Sequence, residues 1–358
     1  MAHFWRDKRV FITGHTGFKG SWLTLWLHLM GAKVSGYSLP APTNPSLFHL
    51  ARLHNCVQTT TGDVRDPKHL AETLAAVQPD IVFHLAAQPL VRDSYSTPLD
   101  TYATNVMGTA HLLEAVRHTP CVRSVVVVTS DKCYENREWL WGYREDDPMG
   151  GHDPYSSSKG AAELVTSAYR RSFFAKDPEN PVGIASVRAG NVIGGGDFAA
   201  DRLVPDFVRA LERNEAVSIR NPHAVRPWQF VLEPLSGYLQ IAQLLYEHGG
   251  KYGEAWNFGP ADTDMQTVSQ LCATFNHSLQ KNDVMPVEVR LEPQPQGPHE
   301  AGTLRLDISK ARQRLDWIPK MELYTALELT AQWYAGYLNN EDLRSLSENQ
   351  IAFYQSLT

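Results

Sequence analysis

A doubly wound parallel α/β sheet with a smaller C-terminal lobe is the architecture this sequence predicts, and three observations carry the prediction. Val125-Val-Val-Val128 is an uninterrupted β-branched run, the mark of a parallel strand buried on both faces, and it stops abruptly at Thr129-Ser-Asp-Lys132. Arg9-Val-Phe-Ile-Thr13 is a short apolar strand that runs straight into Gly14-His-Thr-Gly17-Phe-Lys-Gly20 and then into an apolar helix. Strand-like and helix-like segments alternate in six such units through Ala189, as in an open sheet covered by helices on both faces.

The first helix is expected over Trp22 to Met30, closed by Gly31. Glycines in the loop before it let the backbone approach a diphosphate, whose charge then meets free amides at the helix N-terminus. The spacing is GxxGxxG; alone it is compatible with a simple tight turn, and its strand-loop-helix setting favours a dinucleotide. The second strand, Lys33 to Ser38, ends in Tyr37-Ser38, which offers neither a carboxylate for a ribose diol nor a cation for a 2′-phosphate, so NAD and NADP both stay open. Cys56 to Gly62 reads as the third strand. Asp63-Val64 after it either faces an adenine amino group or caps a helix.

Asp80 to Ala87 reads as the fourth strand, with Leu85, Ala86 and Ala87 at a tip small enough for a cofactor to lie close. Gln88 to Arg92 then leads into a long helical stretch that contains Asn105; Arg92 is either a surface charge or a ligand contact. Val182 to Ala189 is the sixth strand, ending in Arg188-Ala-Gly-Asn191. Beyond it the texture becomes irregular, with Gly194-Gly-Gly-Asp197, Arg202-Leu203, Arg220 and Arg226-Pro-Trp228, a composition suited to a phosphate and a flat base or to a loop-rich surface. Glu233 to His248 reads as a helix returning to the sheet and Ala255 to Gly259 as a strand leaving it. The Pro-rich stretch Glu292 to His299 reads as a mobile loop, and Asp307 to Leu315 and Leu323 to Asn339 as two terminal helices.

At 358 residues the chain exceeds the ~250 to 300 at which single cores usually stop growing, so two lobes are expected. Residues 1–190, with return segments at about 229–256 and 303–320, form the dinucleotide-binding domain in this reading; 191–228, 257–302 and 321–358 form the substrate lobe. The net charge of −6 supplies no basic surface for nucleic acid or an anionic membrane. Four scattered cysteines make no CxxC pair or metal-ligand grouping, so no metal is expected and the thiols read as reduced cytosolic ones. With no signal-peptide core and no apolar run of ~18 residues, a cytoplasmic protein is expected.

Ligands of open α/β sheets bind beyond the carboxyl ends of the strands, which is where Ser130, Asp131 and Lys132 stand. Tyr155-Ser-Ser-Ser-Lys159 opens a helix after Asp153-Pro154, and a phenol and an amine four residues apart share one helical face. There the ammonium can lower the phenol's pKa and make the tyrosinate a usable base.

These motifs together, GHTGFKG at 14–20, Asp63-Val64, HLAAQ at 84–88, Asn105, Ser130-Asp131-Lys132, YSSSK at 155–159 and RPW at 226–228, resemble the extended short-chain dehydrogenase/reductases over nearly the full length. Within them the chain looks most like the nucleotide-sugar 4,6-dehydratases. Lys132 in the strand-end triplet, QPLVR at 88–92 and GGGD at 194–197 resemble the CDP-glucose branch in particular. The resemblance implies a tightly held NAD, touched by Gly14, His15, Thr16, Gly17, Phe18, Lys19, Gly20, Tyr37, Ser38, Asp63, Val64, Leu85, Ala86, Ala87, Asn105, Tyr155 and Lys159. It implies that Tyr155 takes a proton from the sugar 4-hydroxyl, Ser130 orients that hydroxyl, Lys159 holds the nicotinamide ribose, Asp131 protonates the departing 6-hydroxyl and Lys132 stands where the C5 base stands. Gln88, Arg92, Asn191, Arg202, Leu203, Arg220, Arg226 and His299 are implied as contacts to a nucleotide sugar such as CDP-glucose. A homodimer through a four-helix bundle, built on the helices holding Asn105 and Tyr155, is implied as well. An epimerase or reductase in which Asp131 and Lys132 form only an ion pair, the same dehydration on a dTDP- or GDP-sugar, and a non-catalytic NAD-binding protein remain alternatives.

Overall fold

The computed structural model describes residues 2–174, 182–219, 221–261, 266–291 and 303–357. Its centre is a seven-stranded, wholly parallel sheet of β1 (Arg9–Thr13), β2 (Lys33–Ser38), β3 (Gln58–Thr61), β4 (Ile81–His84), β5 (Ser124–Val128), β6 (Gly183–Ala189) and β7 (Ala255–Phe258). The order is β7-β6-β5-β4-β1-β2-β3, so the chain reverses direction across the sheet between β1 and β4. That switch point opens a crevice at the carboxyl edge. Every residue of β4, β5 and β6 is buried, as their near-continuous apolar runs require of strands covered on both faces.

Two expectations about elements need correction. Ala255–Phe258 does not leave the sheet; it pairs in parallel with β6, Phe258 opposite Ala189, and the lobe boundary expected at 256 falls inside this strand. Past Leu338 a further helix, Leu343–Ser356, follows the two that the sequence predicts. Its Ile351 and Tyr354 are buried in the main core, and the Tyr354 hydroxyl donates to Glu233 at 2.9 Å. The spacing of its apolar residues is too sparse to announce a helix without the surface it covers.

The helix after the glycine loop runs Phe18–Leu29, starting four residues before the expected Trp22, so Lys19 and Gly20 belong to its first turn; a short helix over Ala2–Trp5 precedes it. Gly31 closes it at φ +82°, a conformation open to glycine. The stretch containing Asn105 is divided into Val91–Ser96, Pro98–Tyr102, a π-turn over Ala103–Met107, and Gly108–Arg117. The segment past Asn191 is more regular than its sequence: Asn191–Ile193 pairs with Trp228–Phe230, Val217–Ile219 with Val289–Leu291, Val225–Arg226 with Gln266–Thr267, and Leu203–Arg213 is a helix. Gly195 is there for packing, since a Cβ on it would lie 1.9 Å from the Trp333 ring, and its carbonyl accepts from Trp22 Nε1 at 3.0 Å. Among the described residues no helix is long and apolar enough to cross a membrane, and no group of His, Cys, Asp and Glu could hold a metal.

Candidate active site

A cavity of about 770 Å³ runs along the carboxyl edge of the sheet, from the β2 end past the glycine loop to the ends of β5 and β6. At its centre Ser130, Asp131 and Lys132 follow β5, with Asp131 opening a short 3-10 turn. Ser130 Oγ donates to Asp131 Oδ1 at 3.0 Å and accepts the Lys132 amide at 3.2 Å. The second Asp131 oxygen is buried with no partner, against Gly190, where a Cβ would come within 3.2 Å. A lone buried carboxylate oxygen is costly unless a ligand group completes it. Lys132 is half-buried on the cavity wall, and among the described residues no ion pair joins it to Asp131. The ion-pair reading of these two residues has no support here.

Tyr155 and Lys159 come from the Pro154–Tyr169 helix, which starts sharply: Pro154 occupies its first turn and Asp153 accepts from Ser156 N at 2.9 Å and Ser156 Oγ at 2.6 Å. Burial pushes the Tyr155 phenol up to about 12; the Ser130 hydrogen bond lowers it, Asp131 raises it and Arg202 lowers it. Arg202 is thus a cation that favours the phenolate. Lys159 is itself lowered to about 8 by burial, and its Nζ donates to Val128 O at 3.4 Å. One turn on, Glu163 accepts from Thr129 Oγ1 and pairs with Arg188 at 2.9 Å. Burial opposes both charges, yet each partner's charge wins, holding Glu163 below and Arg188 above its ordinary range. Arg188 also donates to the Tyr134 hydroxyl at 2.6 Å. This network clamps the helix to the strand ends that carry Ser130. The sequence reading missed Glu163 as a positioning residue; its signal was the i, i+4, i+8 series Tyr155, Lys159, Glu163.

The glycine loop fits a dinucleotide. Gly14 has φ +76° and a Cβ there would meet the Ala86 backbone at 2.6 Å, while a Cβ on Gly20 would collide with Gly14 O at 2.1 Å, so both are demanded by the fold. Gly17 has an ordinary extended backbone, and its Cβ would meet only Gly14 O at 3.4 Å. It faces cavity, so its smallness serves a ligand. Gly17 also caps the following helix with no side-chain bond, leaving first-turn amides available to an anion. Thr16, Phe18, Lys19, Ser38, Asp63, Val64, Leu85, Ala86 and Ala87 line the same cavity. At its far end Thr16 Oγ1 and Ser38 Oγ lie 2.7 Å apart.

Four of the expected contacts lie off the cavity wall. His15 is buried beneath the loop, its ring over Gly36 and its Nε2 3.1 Å from Thr59 Oγ1. The Tyr37 ring is in the core, and its hydroxyl donates to Asp63 O at 3.0 Å. Asn105 is a bracket: it accepts Gln88 N at 2.9 Å and donates to Gln88 O and to Ser158 Oγ at 2.8 Å. Gln88 Oε1 accepts Leu90 N and its Nε2 donates to Thr101 Oγ1, so both ends close a turn. Asp63 does line the cavity, but its carboxylate is engaged by Arg65 at 2.6 Å; the helix cap nearby is Asp66.

On the opposite wall stand Asn191, Arg202, Leu203 and Arg226, with Arg92 at 3.6 Å from Asp201. Arg202 pairs with Asp197 at 2.8 Å, which keeps the guanidinium charged in this setting. Arg220 and His299 lie outside the described residues. Cys133 is fully buried and its thiol is raised far above the ordinary range by burial, which removes it as a nucleophile.

The fold is similar to that of UDP-glucose 4-epimerase from Thermotoga maritima (TM-score 0.76, 24% identity, 92% of this chain and 99% of that one). It is equally similar to dTDP-glucose 4,6-dehydratase from Streptomyces venezuelae solved with NAD (TM-score 0.75, 23% identity, 94% and 99%). In sequence the chain is 54% identical to CDP-glucose 4,6-dehydratase of Salmonella typhimurium over 99% of this chain and 98% of that protein. It is 26% identical to dTDP-glucose 4,6-dehydratase of Xanthomonas campestris over 90% and 92%. The model of the GDP-mannose 4,6 dehydratase family matches residues 11–330, and with a strand-end Ser-Asp-Lys and a Tyr-Lys helix facing one dinucleotide-sized cavity, the chain belongs to that family.

Proposed function

We propose that this protein is a hydro-lyase that converts CDP-glucose to CDP-4-dehydro-6-deoxyglucose, a step of deoxysugar biosynthesis, with NAD as its cofactor. One observation carries the reading: Ser130, Asp131 and Lys132 share a cavity with Tyr155, Lys159 and the glycine loop. An epimerase needs only the tyrosine and lysine; a dehydratase needs an additional acid and base. Similarity to the Salmonella enzyme supports the cytidine nucleotide over dTDP or GDP.

NAD, when bound, would take the hydride from C4 and give it back at C6. The loop from Gly14 to Gly20, Ser38, Asp63, Leu85 to Ala87 and Lys159 would hold it. Tyr155 takes the 4-hydroxyl proton, with Ser130 orienting that hydroxyl. A ketone at C4 acidifies the C5 proton, which Lys132 removes. The electron pair left at C5 forms the C5–C6 double bond as the C6–O bond breaks, Asp131 protonates the departing oxygen so that water leaves, and once the hydride is returned at C6 Lys132 gives its proton back to C5. Asn191, Arg202, Leu203 and Arg226, with Arg92 at the rim, would hold the nucleotide sugar. Residues 191–228 and those beyond Phe258, apart from the return segment at 303–320, form the substrate lobe in this reading.

The assembly that fits is a homodimer through a four-helix bundle. Leu99 (82% exposed) and Leu164 (62%) leave large apolar side chains uncovered on the two helices joined by the Tyr102–Ser157 hydroxyl contact at 2.6 Å, and Met107 (50%) does so on the π-turn that follows the first of them. A cytoplasmic location is in keeping with a nucleotide-sugar substrate. Incubation with CDP-glucose tests the activity: a product lighter by one water is expected, and a product of unchanged mass would return the protein to the epimerases.

A further inference from the structure

The Leu232–His248 helix packs on β5, β6 and the Phe18–Leu29 helix, and it carries a tyrosine that the reaction scheme leaves unused. Its N-terminus follows Trp228–Phe230, which pairs with Asn191–Ile193 just beyond β6, while its Ala242 carbonyl accepts from Ser124 Oγ at the start of β5 at 2.8 Å. The helix therefore runs antiparallel to the strands. Helical side chains lean toward the helix N-terminus, so Tyr238, one turn before Ala242, leans toward the carboxyl edge of the sheet.

Tyr238 is fully buried, with the edge of the Phe258 ring against it at 5.9 Å between centroids and the Lys19 ammonium 5.9 Å from its own centroid. Its hydroxyl has no hydrogen-bond partner among the described residues, and the ionisable groups that act on it are Tyr155 and Asp131. A buried hydroxyl costs free energy until it is bonded. Burial and those two charges raise the phenol above its ordinary range, which keeps it protonated and a donor. Its complement is Asp131 Oδ2, a buried acceptor that is likewise without a partner. Lys19 has donors only, and Tyr155 is committed to the sugar hydroxyl in the reaction scheme.

We propose that Tyr238 is a positioning residue for the acid of the elimination step, its hydroxyl donating across one bridging water to the Asp131 oxygen that Ser130 does not hold. No direct bond joins the two groups, and a single water satisfies both. Once Asp131 has given its proton to the departing C6 oxygen it is left as a buried carboxylate, with Ser130 Oγ on Oδ1 at 3.0 Å. A carboxylate oxygen accepts more than one hydrogen bond, so a donor behind Oδ2 leaves the side toward the sugar free. A fixed donor where charge develops favours water loss over the steps before it. No bond is made or broken at Tyr238, and its own proton stays in place. This inference rests on the nucleotide-sugar dehydratase reading, in which Asp131 is the acid.

Tyr238→Phe, which keeps the ring and removes the hydroxyl, is compared with the parent on CDP-glucose in heavy water. Mass spectrometry reads water loss from the product and C5 exchange from deuterium in the recovered substrate. Water loss is expected to slow by roughly tenfold, the effect of one hydrogen bond to a charged group, with C5 deuterium per water lost rising by the same factor. The sugar reaches the C5 step as before and then turns back. A purely structural defect slows both and leaves that ratio at the parent value, which overturns the proposal. A parent-like rate and ratio overturns it as well and hands the hydroxyl to Gln229 Oε1, the other unpartnered acceptor beside Phe258. A crystal structure of the parent is an independent reading: a water within hydrogen-bond reach of both the Tyr238 hydroxyl and Asp131 Oδ2 is expected, and its absence overturns the proposal even if the variant fails to fold. A parent product of unchanged mass overturns the dehydratase reading itself, and the proposal with it.

Discussion

Arg202 Nη1 lies 2.8 Å from Asp197 Oδ2, and through this pair the glycine turn Gly194–Asp197 delivers a guanidinium to the reaction centre. Asp197 is anchored in turn by the Tyr334 hydroxyl, which donates to its carbonyl at 2.5 Å. The C-terminal helices thereby bear on the phenol at Tyr155. Arg202 lowers Tyr155 and burial raises it, so removing the cation moves the phenol further up. In Arg202→Met the rise of kcat with pH, which follows formation of the phenolate, is expected to shift to higher pH. A pH–rate profile checks the direction, and an unshifted profile would remove Arg202 from the tuning of Tyr155.

Filling the one loop glycine that faces open cavity separates binding from folding. Gly17→Val adds a side chain where the protein leaves room, so the melting temperature should hold while NAD binding is lost. Gly20→Ala, which collides with Gly14 O, should instead unsettle the loop itself. Thermal melts with and without NAD distinguish the two variants.

The proposed acid and base predict a split. Lys132→Met should still oxidise the sugar at C4 but fail to exchange the C5 hydrogen with heavy water. Asp131→Asn should retain some C5 exchange and lose water expulsion, each at a cost of ~100 to 10,000-fold in overall rate. Mass spectrometry of sugar recovered from heavy water reads both. Normal C5 exchange in Lys132→Met would mean that the base lies elsewhere.

Arg226 stands on the wall assigned to the nucleotide. Arg226→Ala should weaken CDP and CDP-glucose alike, by roughly 1.5 to 3 kcal/mol, the range of a hydrogen bond to a charged group. Calorimetry with both ligands checks this, and equal affinity in variant and parent would make it a surface arginine.

Glu233 links pH to stability far from the cavity. It is fully buried and accepts from the amides of Lys320 and Met321 and from the Tyr354 hydroxyl, and burial raises its carboxyl to about 7. A carboxyl whose folded pKa lies above its unfolded value of ~4.3 stabilises the fold fully below that lower value. The contribution fades as pH rises toward about 7 and is gone above it. The expected loss is on the order of 3 kcal/mol. Glu233→Gln, neutral throughout, should flatten the fall in melting temperature between pH 5 and 8; a slope equal to the parent's would exclude Glu233 as its source.

The sequence alone determined the elements whose signals are local. The β-branched run of β5 announces a doubly covered strand, Asp153-Pro154 announces a helix start, and Tyr155 with Lys159 needs only the helical period to share a face. What tertiary structure decided was every relationship between segments distant in the chain. That Tyr37 and His15 turn into the core, that Asn105 and Gln88 close on each other, that Glu163 meets Arg188 and that Arg202 lowers Tyr155 all depend on which surfaces pack together. A residue type states which bonds its side chain can make. Which partner lies within 3 Å, and whether water remains between them, is set by the burial of the whole sheet and its covering helices, and no window of sequence contains that information.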